Sequence, residues 1–364
     1  MASLNVLSPI IKKNKVGYIT ETGFMQIQPQ YKFMSSYHVI EYKYHKYLVP
    51  FFANEDYFSE GVNTVINQKY ILWVIPIQSR FSVINTDGDI IEDNLEQGIS
   101  PFKDGLAFSF EKTPYLQNSN NIIYEYVNLK NEKAFEGKFK MATDFSEGKA
   151  VVLDSDYESK NAKNKSYYYI NTSGEKLFDR EFANASNFSE GLALVEIKGE
   201  YYYLNENGEK AISISAEFAD DFSCSRARVF KNEFFGFIDR DGKYISKERW
   251  AKAGGFNDDR AFVLIDDFYG YIDEFGDMVI KPQYLECYSF SEGLAAVQCD
   301  NLNWAFIDID GKNITEPKYY YANSFKNGLA LVVDERLHAI YINKKGETIF
   351  DFGKLESASH TQYR

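Results

Sequence analysis

Short runs of apolar and polar residues, separated by tight turns, recur along the chain. In one stretch, Leu192–Ile197 and Tyr201–Leu204 have the composition of two strands joined at Lys198-Gly199, and Lys210–Ile214 follows the turn Asn205–Gly208. Runs of this length and composition are typical of β-strands, and very short breaks between them favour antiparallel hairpins. The pattern therefore predicts a three-stranded β-meander in this stretch.

Two sequence motifs recur along nearly the whole chain and mark successive copies of this meander. The first is Phe-Ser-Glu-Gly or a looser form of it, and its phenylalanines are Phe58, Phe102, Phe145, Phe188, Phe222, Phe256, Phe290 and Phe325. The second has the form aromatic-x-Ile-Asp/Asn-x-x-Gly, with an aliphatic residue four positions before a turn glycine. We expect this glycine at positive φ, and the glycines are Gly23, Gly88, Gly174, Gly208, Gly242, Gly276, Gly311 and Gly346. A repeat this short cannot bury a core alone, so we expect neighbouring repeats to stack.

The spacing between the motifs places all length variation in one connection. From the aliphatic residue of the second motif to the next Phe there are 18 residues in all seven cases from Ile84 to Phe325. From the Phe to the aliphatic residue the distance varies between 16 and 26 residues. We therefore expect a rigid module in each repeat and a variable connection between its first and second strands.

These residues resemble the bacterial WG repeat family, also called KWG repeats. The copy most similar to the family pattern runs from Phe256 to Tyr284 and contains Tyr269-Gly270-Tyr271-Ile272-Asp273. The name-giving Trp-Gly pair is nowhere intact, and Trp304-Ala305 is one of its altered forms. The resemblance implies an all-β repeat used for binding, with no catalytic residues.

We predict an all-β tandem array of eight to nine three-stranded β-meander repeats, with or without a short fourth strand in each. The array spans residues 14–351, with a degenerate repeat around 37–57, an N-terminal segment at 1–13 and a C-terminal tail at 352–364. A superhelical or ring-like β-solenoid is the first interpretation, and a closed β-propeller is the alternative.

Charge and composition narrow the classes of partner. The chain has 40 Lys and Arg against 53 Asp and Glu, a net charge of −13, which disfavours nucleic acid and anionic membrane surfaces as partners. A basic protein or a neutral ligand remains. No apolar run reaches the length of a membrane span and no secretion signal is recognisable, so we expect no membrane insertion and a cytoplasmic location.

No constellation of residues predicts catalysis, a metal site or a cofactor. The four histidines lie outside any nucleophile motif. The turns Asp239–Gly242 and Asp308–Gly311 have the start of a calcium-loop spacing, but each is followed by a lysine and lacks further oxygen ligands. We interpret them as hairpin turns, and we interpret the repeated Ser-Glu-Gly carboxylates as acceptors of backbone N–H bonds.

Binding is therefore the predicted class of function. The first hypothesis is a non-enzymatic intracellular protein–protein interaction scaffold. The second is an immunity or antitoxin protein that neutralises a basic bacterial toxin, since a negative net charge would steer a cationic partner. The third is a glycan-binding module that uses exposed aromatic residues.

The variable connection is the candidate binding edge. Three consecutive repeats carry 9 or 10 extra residues relative to the 16-residue copies, around 66–80, 111–125 and 154–166. Stacked repeats project equivalent connections from one edge, and variable loops on a rigid scaffold are where binding residues concentrate. The alternative is that surface loops tolerate insertions at little cost. The predicted partner-binding residues are Tyr70, Trp73, Tyr115 and Tyr157.

Overall fold

The computed structural model describes residues 7–12, 15–32, 37–42, 45–50, 62–72, 75–85, 89–95, 97–111, 122–154, 166–247 and 249–355. Within these residues the chain forms small antiparallel sheets and no helix, which confirms the all-β prediction. Consequently, no helix in the described part of the chain could cross a membrane.

The strands follow one another with short connections. In chain order they are β1 (Ser8–Lys12), β2 (Lys15–Ile19), β3 (Met25–Lys32), β4 (Tyr37–Tyr42), β5 (His45–Pro50), β6 (Val62–Leu72), β7 (Ile75–Asn85), β8 (Ile90–Leu95), β9 (Gln97–Ile99), β10 (Leu106–Glu111), β11 (Tyr124–Asn128), β12 (Phe139–Ala142), β13 (Lys149–Asp154), β14 (Tyr167–Asn171), β15 (Lys176–Phe182), β16 (Asn184–Ala185), β17 (Leu192–Ile197), β18 (Glu200–Asn205), β19 (Lys210–Ile214), β20 (Phe218–Ala219), β21 (Ala227–Lys231), β22 (Phe234–Ile238), β23 (Ala261–Ile265), β24 (Phe268–Ile272), β25 (Met278–Tyr284), β26 (Glu286–Cys287), β27 (Leu294–Gln298), β28 (Trp304–Asp308), β29 (Tyr321–Ala322), β30 (Leu329–Val333), β31 (His338–Asn343) and β32 (Thr348–Lys354).

The chain divides into two compact units. The first comprises Met1–Asn5, Glu55–Ser225 and Arg240–Gly242. The second comprises Val6–Asn54, Arg226–Asp239 and Lys243–Arg364, so it joins the N-terminal strands to the C-terminal repeats.

The fullest form of the repeat is a four-stranded meander rather than the three-stranded one. In the first compact unit it has the order β16-β17-β18-β19, and in the second the order β29-β30-β31-β32. We call these strands the leading, first, second and third strands of a repeat. The two-residue leading strand precedes the motif Phe and pairs with the first strand, as Ala185 pairs with Val195. The sequence predicted this short strand only as an optional element. It pairs with the first strand across the Phe-Ser-Glu-Gly motif, so no tight hairpin turn marks it in the sequence.

Aromatic contacts join consecutive repeats. In the first compact unit, the ring of Tyr169 on a second strand meets the next motif residue, Phe188, edge to face with 5.2 Å between centroids. In the second compact unit, Tyr271 and Phe290 repeat the contact at 4.9 Å. Such pairs favour close, desolvated packing beyond the burial of area alone. The predicted inter-repeat core is thereby confirmed in both compact units.

Small and large buried residues alternate in this core. The motif phenylalanines from Phe102 to Phe325 are all at most 2% exposed, and the alanines five residues later are at most 1% exposed. The third buried set is an aromatic residue that lies 12 positions after the aliphatic residue of the second motif. Its members for which burial is described are Phe139, Phe182, Trp250, Tyr284 and Tyr319. Each first strand therefore presents a methyl group where a neighbouring ring needs room.

Two glycines illustrate why their positions need glycine. Gly208 has a φ of 76°, and a Cβ placed on it would overlap the ring of Phe178 from the preceding repeat. Gly270 has ordinary backbone geometry, but a Cβ there would lie 2.5 Å from the carbonyl oxygen of Ile280. The first glycine is required by its backbone conformation and by the packing of repeats, and the second by the close approach of the third strand.

The array extends further at both ends than the sequence indicated. Ser8–Lys12, placed outside the array by the boundary at residue 14, forms β1 and pairs with β2 so that Ser8 lies opposite Ile19. Ala193 lies opposite Leu204 in the same way, so Ser8 occupies the position of the alanine that follows the motif Phe. Because serine replaces this alanine, the first motif is not recognisable in the sequence here. At the other end β32 continues to Lys354, past the boundary at residue 352.

The stretch around residues 37–57 contains a hairpin. β4 and β5 pair from Tyr37 opposite Pro50 to Tyr42 opposite His45. Residues 51–57 lie outside the described part of the chain.

Replacing Gly208 by Val should destabilise the array by more than about 1 kcal/mol, because the new side chain combines backbone strain with overlap at Phe178. Gly199 is a matched control, since its φ is 82° but no atom lies within 4 Å of a Cβ placed there. Urea unfolding of Gly208→Val and Gly199→Val should therefore show the larger loss at residue 208. Equal losses would contradict the role of inter-repeat packing.

Candidate functional site

The Ser-Glu-Gly motif is a tight hairpin that precedes each first strand. In the Phe188 repeat, Ser189 and Leu192 exchange two backbone hydrogen bonds of 2.8 and 3.1 Å. Glu190 and Gly191, between them, have φ angles of 54° and 76°. Two consecutive residues at positive φ characterise a type I′ turn, whose twist matches that of a hairpin. The motif is evident in the sequence, and Glu-Gly before an alternating run was the signal that could have predicted this turn type.

Where the motif has a carboxylate, that carboxylate connects its turn to the turn of the next repeat. In the first compact unit, a carboxylate oxygen of Glu147 accepts the backbone N–H of Gly191 at 2.9 Å. Glu190 accepts from Ser225 at the same distance. In the second, Glu292 accepts from Gly328 at 3.0 Å, and Asp258 takes the glutamate position and accepts from Gly293 at 2.7 Å. The prediction that these carboxylates accept backbone N–H bonds is confirmed.

Hydroxyl groups complete the connection between repeats. Ser189 Oγ donates to the carbonyl oxygen of the next motif residue, Phe222, at 2.7 Å, and Ser291 does the same to Phe325 at 2.8 Å. The hydroxyl of Tyr169 donates to the carbonyl of Ser186 at 2.7 Å. Burial raises the pKa of Tyr169, and the nearby carboxylate of Asp221 raises it further, so the phenol stays protonated and able to donate.

The two Asp-x-Asp-Gly turns use their first carboxylate within the turn. Asp308 Oδ1 accepts from the backbone N–H groups of Asp310 and Lys312 at 3.1 and 2.8 Å. Asn171 makes the equivalent bonds to Ser173 and Glu175 through its amide oxygen, so an uncharged side chain serves the turn as well. Within the described residues, no group of three His, Cys, Asp or Glu side chains could hold a metal ion.

The turn glycines of the second motif lie where the sequence predicted a tight turn. Positive φ angles between 76° and 86° are found at Gly23, Gly174, Gly208, Gly242, Gly276, Gly311 and Gly346. Asn131, which replaces glycine in one repeat, also has a positive φ, of 57°. Gly88 lies outside the described residues.

The predicted binding residues lie mostly outside the described part of the chain. Trp73, Tyr115 and Tyr157 are not among the described residues. Tyr70 lies in β6, where its backbone pairs with Pro76 of β7. The extra residues of this repeat lengthen a hairpin, since β6 runs to Leu72 and β7 begins at Ile75, whereas the sequence predicted a loop over 66–80. Their β-branched and aromatic residues favour continued strands.

A group of exposed apolar side chains, not predicted from the sequence, lies on the same connection of later repeats. Phe234, Phe268 and Leu302 are 46%, 40% and 65% exposed, and each lies at or beside the start of a second strand. They belong to three consecutive repeats of the second compact unit. The signal in the sequence was an apolar residue directly after an acidic turn.

The repeat family described as WG containing repeat matches the chain at five places. The matched segments are residues 126–156, 169–201, 235–267, 269–302 and 304–335. They coincide with the second strand of one repeat through the first strand of the next, which is the module of fixed spacing. A search of curated proteins gave no match.

Several solved structures are similar to the chain at low identity. A computationally designed protein, Ika8, has 13% identity and a TM-score of 0.42 over 80% of this chain and 93% of its own. BamB from Moraxella catarrhalis has 10% identity and a TM-score of 0.39 over 86% and 93%. Apo AztD from Citrobacter koseri has 10% identity and a TM-score of 0.41 over 80% and 95%.

Replacing Glu292 by Ala should lower the free energy of unfolding by about 1 kcal/mol, because the N–H of Gly328 loses its acceptor and the partly exposed ammonium of Lys344 loses a carboxylate at 3.2 Å. Glu292→Gln keeps an acceptor oxygen and should retain most of the stability. Glu316→Ala, at an exposed position, is the control for loss of a negative charge. Thermal unfolding of the three variants is the measurement. A Gln variant as unstable as the Ala variant would show that charge, rather than the hydrogen bond, matters.

Proposed function

Because residues 126–335 of this chain belong to the WG repeat family, we propose that the protein is a non-enzymatic scaffold that binds a protein partner. The binding surface we propose is the edge formed by the first connections, which join the first and second strands of each repeat. In the first compact unit this edge includes Tyr70, Trp73, Tyr115 and Tyr157.

One observation supports this proposal: the side chains that recur along the array hold the repeats together and are not available for a partner. Motif Phe, Ala and Tyr residues are buried between repeats, and the Ser and Glu residues bond the next repeat. Glycines and Asx residues form the turns. The first connection is the part of the repeat that varies in length and sequence, so it supports a function that can change without disturbing the stack.

Charge supports a basic partner. The net charge of −13 favours association with a cationic surface, and it accelerates encounter more than it raises affinity. A basic bacterial toxin is one such partner, so an immunity role is our second candidate function. The glycan-binding hypothesis has less support. In the aromatic run Tyr201–Tyr203, which could stack on a sugar, Tyr203 is fully buried, and the ammonium of Lys210 already covers the ring of Tyr202 at 3.5 Å from its centre.

We further propose that the two ends of the array join, as in the closed alternative of the fold prediction. Within the second compact unit, Ile10 is buried in one cluster with Leu331 and Tyr341 of the last repeat. A Cβ on Gly23 would lie 2.9 Å from Ile349, much as one on Gly311 would lie 3.1 Å from Ile280 of the repeat before it. The N-terminal strands thus contact the last repeat where a following repeat would.

Replacing Ile10 by Ala tests this joining of the ends. A buried isoleucine shortened to alanine in a cooperative core should cost about 2–5 kcal/mol. Lys12→Ala, at an exposed position of the same strand, should be neutral. Hydrogen exchange should show lost protection in β30–β31 as well as in β1–β2. Loss confined to β1–β2 would contradict a joined array.

Photo-crosslinking in cells tests the binding edge. A photoreactive phenylalanine replaces Tyr70, Tyr115 or Tyr157 singly, and in controls it replaces Phe24 or Phe275, which lie 65% exposed in second-motif turns. We expect the three edge positions to crosslink the same protein and the turn positions to leave it unlabelled. A basic, toxic crosslinked protein would favour the immunity role.

Shortening the three connections then measures their contribution. Each is replaced by the two-residue connection Lys198-Gly199 of the Phe188 repeat. Affinity for the crosslinked protein, purified, should fall by about 100-fold or more while the melting transition remains cooperative. Unchanged affinity, or crosslinks from the turn positions alone, would refute the proposed edge.

A further inference from the structure

Three consecutive repeats of the second compact unit expose apolar side chains at the same connection. Phe234 and Phe268 each begin a second strand, opposite Lys231 and Ile265 of the first strand. Leu302 lies in the corresponding turn of the next repeat, one residue before the equivalent position. We call Phe234, Phe268 and Leu302 the apolar stripe.

The repeats that carry the stripe are stacked on one another. Phe237 of the first meets Phe256 of the second edge to face at 5.0 Å, and Tyr271 of the second meets Phe290 of the third at 4.9 Å. Arg226 also donates through Nε to the carbonyl of Glu274, one repeat further on, at 2.7 Å. Equivalent residues of stacked sheets project from one edge, so we expect the stripe to be continuous, with a step of about 10 Å per repeat, the usual spacing of packed sheets.

Neither fold nor turn geometry requires these apolar residues. The position of Phe234 and Phe268 is apolar in one further repeat, at Ile123. It is polar in six repeats, where it is Lys15, Arg80, Ser166, Glu200, Asn303 and His338. Lys15, Glu200 and His338 begin β2, β18 and β31, so a polar residue can begin a second strand equally well. The stripe is therefore a local departure from the repeat pattern.

Leu302 adds a second departure, in backbone conformation. Its φ is 65°, a left-handed conformation that favours Gly or Asn over Leu. Leu337 in the next repeat has a φ of 64°, but its side chain packs against the buried cluster that contains Tyr341. Leu302 is 65% exposed. An unfavourable residue that packing does not explain points to a role outside folding.

The turns along the stripe are acidic. The segments Asn232–Phe234, Asp266–Phe268 and Asp300–Leu302 contain four carboxylates and no basic residue, although Lys231 precedes the first. All four carboxylates, Glu233, Asp266, Asp267 and Asp300, are on exposed residues. An apolar surface flanked by acids is complementary to apolar side chains flanked by lysine or arginine.

We propose that the apolar stripe docks an extended basic segment of a protein partner, whose apolar side chains recur about every 10 Å between lysines or arginines. In a polyproline-II conformation every third side chain lies on one side, about 9 Å apart, which matches the step of the stripe. This inference rests on the proposed scaffold function and names a site and partner chemistry for it.

The probe is a synthetic peptide of about 12 residues that repeats Leu-Lys-Lys, with fluorescence anisotropy as the measurement at about 150 mM salt. Peptides that repeat Ser-Lys-Lys and Leu-Glu-Glu separate charge from apolar contact. We expect the full-length protein to bind the Leu-Lys-Lys peptide about tenfold or more tightly than either. Equal binding of the Leu-Lys-Lys and Ser-Lys-Lys peptides would overturn the proposal, because charge alone would then explain binding.

Matched variants locate the site. Phe234→Ser, Phe268→Ser and Leu302→Asn together leave the net charge unchanged and should weaken binding about tenfold or more. Phe24→Ser with Phe275→Ser removes exposed rings from second-motif turns and should change nothing. Asp266→Asn with Asp267→Asn should weaken binding more than Asp277→Asn with Asp310→Asn, which removes the same charge elsewhere. Wild-type affinity in the stripe variant would overturn the proposal.

The outcome is distinguishable from failure of the proposed function. A partner crosslinked at Tyr70, Tyr115 and Tyr157, together with no stripe-dependent peptide binding, would refute the stripe and leave the scaffold function standing. Stripe-dependent peptide binding without any crosslinked partner would refute the scaffold edge instead. The substitutions affect exposed side chains, and a melting curve within about 2 °C of wild type verifies folding.

Discussion

Contact between consecutive repeats is the interaction on which the rest of the structure depends. A single meander has two apolar faces and too few residues to cover either, so burial has to come from its neighbours. The motif Phe meets an aromatic ring of the preceding repeat, as Phe188 meets Tyr169. The serine and glutamate beside it then satisfy backbone groups one repeat further on, at Phe222 and Ser225. One four-residue motif thus supplies a hydrophobic contact, a tight turn and two hydrogen bonds.

This use of the motif separates structural from variable chemistry. Carboxylates and hydroxyls that recur in several repeats would suggest a row of reactive groups, but Glu292 and Ser291 are bonded to Gly328 and Phe325. The name-giving aromatic position is likewise internal, since Tyr269 and Trp304 are 7% and 9% exposed. The remaining freedom lies in the first connection, where the chain can lengthen a hairpin or expose a phenylalanine without loss of the stack.

The ends of the chain follow the same rule by a different route. Apolar faces at the ends of a repeat array need cover, and β1 supplies it within the second compact unit. Tyr341 donates to the carbonyl of Pro9 at 3.1 Å, and the side-chain amide of Asn327 donates to that of Leu7 at the same distance. Asn327 occupies the position of the motif glutamate, so an amide that donates replaces a carboxylate that accepts. Contacts between residues far apart in the sequence thus bury the apolar face of the last repeat, as stacking of consecutive repeats does elsewhere.

The strand positions, the second-motif turns and the need to stack could be read from the sequence, because these depend on residues close together in the chain. Periodicity and turn chemistry are local, so the buried Phe and Ala positions and the positive φ of Gly208 followed from spacing alone. Three features became evident only in the folded chain, namely the leading strand, the inclusion of Ser8–Lys12 and the exposure of Phe234. The leading strand pairs across an intervening motif, Ile10 packs on the last repeat far along the chain, and Phe234 is left uncovered by its neighbours. A sequence pattern records which residues favour burial, whereas the stack decides which of them a neighbour covers.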